Sequence, residues 1–240
     1  MNRKLILLQL SWLLFNFICI YTTLVAQPPA LEKWNDKKYD SANSANDAEY
    51  LTQGEKQVIF YTNLARMNGP LFAETYLQKY LDSAGMEENS WVQSLRKDLR
   101  KLSPLSPMKP EKELFNEAYK HARGMGEAGR TGHSSPSGES FGRRMKKLQG
   151  EYDMVAENCQ YGNDDPLSIV IDLLIDEGVS GNGHRMNMLD PNMQYIGVSI
   201  QPHKKYGYNC VMDFGGREEV VKKTLAQKFL FWVKSIFTGE

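Results

Sequence analysis

Neither sign of charge is in surplus in this sequence, where 29 lysines and arginines meet 29 aspartates and glutamates. There is no basic field to draw in nucleic acid, so no nucleic-acid partner is expected. Cysteine is scarce, with 3 in 240 residues. Cys159 and Cys210 lack the CxxC spacing of a thiol redox site or zinc knuckle. The phosphate-cradling glycine loop with its lysine, the paired-histidine zinc helix and the serine elbow are also missing, which removes the enzyme classes built on them. No internal repeat is present, which argues against a solenoid.

What is present begins with a leader. The stretch "MNRKLILLQLSWLLFNFICIYTTLVAQ" places Arg3 and Lys4 before a long apolar run ending near Ala26, the layout of a secretory signal peptide over 1–27. An uncleaved membrane anchor is the competing reading, because the run approaches the ~20 apolar residues needed to span a bilayer. Cys19 falls inside this leader. The remaining two cysteines either form one disulfide in an oxidising compartment or lie as separately buried thiols, and the sequence leaves both open. Residues 28–50 are rich in Ser, Asn, Asp and Ala without an apolar period and read as a flexible linker.

Order is expected from Thr52, which has the spacing of a helix capping box with Glu55. Val58, Ile59, Thr62 and Ala65 then line one face of a helix ending near "MNGP", and Pro70 starts the next. A third helix runs through Trp91, Leu95, Leu99 and Leu102. The prolines of "SPLSPMKP" force a loop. It feeds a helix with Leu114, Ala118, His121, Ala122 and Met125 on one face, which makes His121 a core or boundary histidine. "RTGHSSPSGESFGRRMKK" is a run of turn formers holding His133, and a short strand is expected around "MVAENCQYG". Asp164 or Asp165 caps a helix with Pro166 at its first position and Ile169, Val170, Leu173 and Leu174 as its buried stripe. "YIGVSIQ" and "YNCVMDF" alternate as strands, and "PHKKYG" between them predicts an antiparallel hairpin. The sum is one mixed α/β domain over 51–217. The tail 218–240 repeats apolar residues from Val221 to Ile236 as an amphipathic helix, which either docks on its own domain or lies on a lipid surface as a peripheral membrane contact.

The polar residues left over are His133 in "TGHSS", Glu157 in "AEN", Asp176 at a helix end and His184 in "GNGHRMNML". None is specific by itself. Their order and surroundings resemble the CAP superfamily of secreted proteins, which includes cysteine-rich secretory proteins, venom antigens and plant pathogenesis-related proteins, and its bacterial, cysteine-poor branch above all. The resemblance runs from "EKQVIFYTNLARMNGPLFAETYL" through "GHSS", "AEN" and "LLIDEGVSGNGHRMNML" to "YIGVSI" and "VMDFGG", covering positions 52–216. It implies an α-β-α sandwich with a small, mainly antiparallel sheet between helices, and a cleft lined by His133, Glu157, Asp176 and His184. The sequence departs from the family pattern at Ala156, which replaces a glycine, and at Asp176, where many relatives have glutamate; Glu177 is the second choice for that role.

In that reading neutral His133 and His184 donate lone pairs to zinc or another divalent metal, while Glu157 and Asp176 fix the rings. The function implied is a secreted, periplasmic or envelope-exposed monomer that binds metal, a small ligand, a lipid or a cell-surface component. The alternatives are a hydrolase, with His133, Glu157 and His184 as catalytic candidates and Ser134 or Ser135 as recruited nucleophile, and a structural tetrad with function on another surface.

Overall fold

The computed structural model describes residues 29–148 and 150–217. The leader 1–27 and the tail 218–240, each with its own expectation above, lie outside the described residues. Among the described residues no helix is long and apolar enough to cross a membrane. The chain divides after Lys37 into two compact units. In the first, Pro29–Glu32 makes one helical turn and Lys33–Asn35 a 3-10 turn.

The second unit begins earlier than expected, and 38–50 is packed rather than a flexible linker. Tyr39, Ala42, Ala45, Ala48 and Leu51 are buried, and they recur at every third residue. That is the period of a 3-10 helix, not of an α-helix. The Asn63 side chain holds this segment by donating to Ala42 O at 3.1 Å and Ser44 Oγ at 3.0 Å.

Helix α1, Gln53–Met67, starts with the expected capping box: Thr52 Oγ1 accepts the Glu55 N–H at 3.3 Å and Glu55 Oε2 accepts the Thr52 N–H at 2.7 Å. The other Glu55 oxygen accepts the Ile200 N–H at 3.0 Å, which ties the helix start to the sheet. After it come α2 (Gly69–Phe72), a π turn (Ala73–Leu77), α3 (Gln78–Ala84) and α4 (Ser90–Lys101). Strand β1, Lys109–Pro110, is a two-residue bridge inside the segment expected as loop. Then follow α5 (Lys112–Ala128), α6 (Phe141–Met145), β2 (Met154–Tyr161), α7 (Pro166–Ile175), α8 (Gly183–Leu189), β3 (Tyr195–His203) and β4 (Gly207–Gly216).

The sheet order is β1-β3-β4-β2, with β1 parallel to β3 and the other pairs antiparallel. Helix α5 covers one face. It lies close enough that a Cβ on Gly197 of β3 would sit 2.1 Å from Phe115 N, and one on Gly126 would sit 2.0 Å from Pro202 O. Helices α1, α7 and α8 pack on the other face, completing an α-β-α sandwich. Both faces of β4 are therefore buried.

This layering decides the cysteines. Cys159 stands opposite Val211 in the β2–β4 register and packs with Ala118 and Ala122 of α5. Cys210 stands opposite Gln160, one position away, so its side chain points to the other face. Both are free, buried thiols.

Candidate functional site

His133 is placed by the end of α5. Gly129 closes that helix in the left-handed conformation, φ 66°, and Gly132 at φ 106° turns the chain back. The Gly132 amide donates to Tyr161 Oη at 2.9 Å, and its carbonyl meets His121 Nε2 at 2.9 Å. His133 Nδ1 then reaches Glu157 Oε1 at 2.9 Å, with the carboxylate side chain 1% exposed and the imidazole 52% exposed.

Glu157 is the centre of a buried ionic cluster. Its Oε2 accepts from Arg144 Nη2, which also donates to His133 O at 3.2 Å, and His121 Nε2 lies 3.9 Å from Oε1. Burial alone would push the Glu157 carboxyl up, but the His133 hydrogen bond and the His121 and Arg144 charges together hold it below the usual range. The same hydrogen bond raises His133. Burial lowers His121. Across the strand pair Asp213 faces Glu157 in register, and burial followed by the Glu157 charge pushes its carboxyl well up.

His184 is placed by the end of α7. Asp176 takes a left-handed conformation at φ 58°, and Gly178, Gly181 and Asn182 also have positive φ, so the chain reverses sharply into α8. Asp176 Oδ2 accepts the backbone N–H of His184 at 2.9 Å and of Arg185 at 3.3 Å, capping α8 from outside it. Its Oδ1 takes His184 Nδ1 at 2.7 Å, leaving the ring 20% exposed. Buried Arg185 secures the corner, its Nε and Nη2 donating to Leu174 O at 2.6 Å and Ile175 O at 2.8 Å, the last carbonyls of α7. Glu177 is exposed.

The four residues named from sequence thus assemble as two histidine–carboxylate pairs. Glu157 and Cys159 face α5, whereas Asn158 faces the other layer and donates to His184 O at 3.0 Å. The pairs flank β2, an edge strand among the described residues, from opposite sides of the sheet. A separate set of donors, His121, Glu157 and Cys159, has its candidate ligand atoms within 4.8 Å of one another, and it includes neither Asp176 nor His184.

The profile of the cysteine-rich secretory protein (CAP) family matches residues 93–214, from within α4 to Phe214 of β4. The chain belongs to the CAP family. Three solved structures are similar. An extracellular protein with an SCP domain from Bacillus anthracis shares 19% identity at TM-score 0.41, the match covering 57% of this chain and 43% of that one. An outer surface protein of Borrelia burgdorferi shares 20% at TM-score 0.41, over 52% of this chain and 86% of that one. Venom allergen-like protein 4 of Schistosoma mansoni shares 14% at TM-score 0.43, over 70% and 92%. The chain thus spans less than half the length of the Bacillus protein. No curated protein matches it.

Within this CAP domain the sequence reading missed His121, Arg144, Asn158 and Asp213. The helical stripe gave His121 as buried, but nothing local shows that it abuts Glu157. Arg144 lies in a stretch read as turns, which holds α6 instead. Ser135, a nucleophile candidate, has its Oγ 2.9 Å from Ser137 Oγ and accepts the Glu139 N–H at 3.0 Å, so its hydroxyl is engaged away from His133.

Proposed function

We propose that this CAP protein is an exported binding module whose His133 and His184 present their Nε2 atoms to a divalent cation, zinc foremost, or to a small ligand. One observation carries the reading: both rings set Nδ1 against a carboxylate, and among the described residues neither Nε2 makes a hydrogen bond. An Nδ1–H donated to a carboxylate leaves the Nε2 lone pair facing outward, the state that a metal ligand needs. The donor chemistry therefore fits a borderline-soft cation, with water or ligand atoms completing its shell.

The buried His121, Glu157 and Cys159 set is the weaker holder. His121 Nε2 is engaged by Gly132 O at 2.9 Å, and burial pushes the Cys159 thiol well up, disfavouring the thiolate. Binding rather than turnover is supported by the engagement of the Ser135 hydroxyl within its own turn. Export is supported by the leader pattern of 1–27.

Zinc calorimetry on the full chain tests the reading. If one ion is shared, His133→Ala and His184→Ala each abolish binding; if each ring holds its own ion, the stoichiometry falls by one in each variant. Absence of heat from the parent chain sinks the cation part. A structural reading is favoured by the Asp176 cap on α8, and it expects His184→Ala to lower the melting temperature while every binding isotherm stays unchanged.

A further inference from the structure

An open cleft of ≈ 570 Å³ lies beside the His133–Glu157 pair, walled by α5, by the 135–139 turn and by α6 with the residues after it. His121 and Arg144 belong both to its lining and to the surroundings of Glu157. Lys120, Arg143, Arg144, Lys146 and Lys147 outnumber the carboxylates in the lining, which are Glu117 and Glu139. Glu117 already pairs with Lys120 at 3.2 Å and with Lys147 at 2.5 Å. Arg143 and Lys146 are exposed and make no ion pair among the described residues.

Arg144 is 8% exposed, and only its Nη2 is engaged; Nε and Nη1 are buried without a hydrogen-bond partner. Glu157 compensates the Arg144 charge, but the guanidinium keeps two N–H groups without an acceptor behind the cleft wall, which an anion in the cleft would favour. In the turn that forms another wall the Ser135 and Ser137 hydroxyls are 2.9 Å apart, so one of their two protons joins the pair and the other is left to donate to a ligand. Cationic side chains beside hydroxyl donors suit a tetrahedral oxyanion. The cleft is of the size that holds an organic molecule, larger than a bare ion requires.

We propose that this cleft binds a phosphate-bearing small molecule, with Arg143, Lys146 and the Ser135 and Ser137 hydroxyls around the phosphoryl group and Arg144 behind it. The site goes beyond the cation reading and needs neither Nε2 atom, so the two can fail separately. The same phosphate chemistry can come from a soluble ester or from a lipid headgroup.

The test is calorimetry on the full chain at low salt with glycerol 3-phosphate, inorganic phosphate and glycerol, beside sedimentation with phosphatidylglycerol and phosphatidylcholine vesicles. Glycerol 3-phosphate is expected to bind, glycerol is not, and the Arg143→Ala/Lys146→Ala double variant should weaken the phosphate ester at least about tenfold while leaving the zinc isotherm intact. Sedimentation with phosphatidylglycerol that the double variant abolishes assigns the phosphate to a headgroup; binding of the soluble ester alone assigns it to a soluble ligand. Both replaced residues are exposed, and a melting curve verifies that the fold is kept. Failure of both the ester and the phosphatidylglycerol vesicles to bind overturns the proposal. So does binding that the double variant retains in full, or inorganic phosphate binding as tightly as the ester.

Discussion

Asp176 holds His184 twice, accepting its backbone N–H at 2.9 Å through one oxygen and its ring Nδ1 at 2.7 Å through the other. A single carboxylate thereby starts α8 and aims the imidazole at its first turn. The shorter acid suits this double role, since it sits in the left-handed corner and needs no further reach.

Asp176→Ala should therefore cost about 3 kcal/mol, a helix cap and a charged hydrogen bond lost together. Asp176→Asn keeps an acceptor for the amides and should cost less, about 1 kcal/mol. Urea unfolding of the two variants measures the difference, and equal costs would show that the charge is immaterial.

Glu157→Gln should lower the His133 titration midpoint, since the Glu157 hydrogen bond is the main cause of its rise above 6.5. Ring-proton resonances followed against pH read this directly. The raised histidine contributes stability that is full below its unfolded midpoint and lost as pH rises through its folded one. The depressed carboxyl contributes stability present above its unfolded midpoint and lost as pH falls through its folded one. The parent's advantage over Glu157→Gln should accordingly be greatest in the weakly acidic window between these limits.

Gly197→Ala should destabilise the fold by about 3 kcal/mol or more, because its methyl would meet the α5 backbone, which cannot step aside like a flexible side chain. Gly142→Ala is the matched control: it meets nothing within 4 Å and lies in α6. A gain of about 0.5 kcal/mol is expected there, since alanine is the better helix former. Thermal melts of the pair check both.

Cys159 and Cys210 should resist an aromatic disulfide reagent in the native chain and react once it is unfolded, since burial pushes both thiols up. Peptide masses after labelling distinguish them from Cys19. Oxidation of the native protein should leave the two unjoined, because their side chains leave adjacent strands on opposite faces.

Much of the fold was legible because its elements follow simple periods. The α1 capping box, the α7 stripe and the β3–β4 hairpin are each written in neighbouring residues. The segment 38–50 was misread because Tyr39, Ala42, Ala45, Ala48 and Leu51 follow a period of three, which a search for helical spacing of 3.6 discards. Helix α8 was missed because its cap, Asp176, lies eight residues before His184 and so outside any local capping pattern. Asp213 was missed because the alternation in "YNCVMDF" suggests one buried face, whereas α5 on one side and α1 with α7 on the other bury both. The candidate site was legible as a set of residue types in order, but its division into two pairs depends on where β2 runs, and no stretch of sequence states that.

Consecutive placement of Glu157 and Asn158 on β2 leaves no mechanical slack between the two histidines. A slip of β2 by one residue along β4 would turn the carboxylate away from His133 and, in the same movement, withdraw the amide that braces the His184 carbonyl. The two imidazoles are ganged to one rail, so a force or mutation that derails the strand would disarm both together.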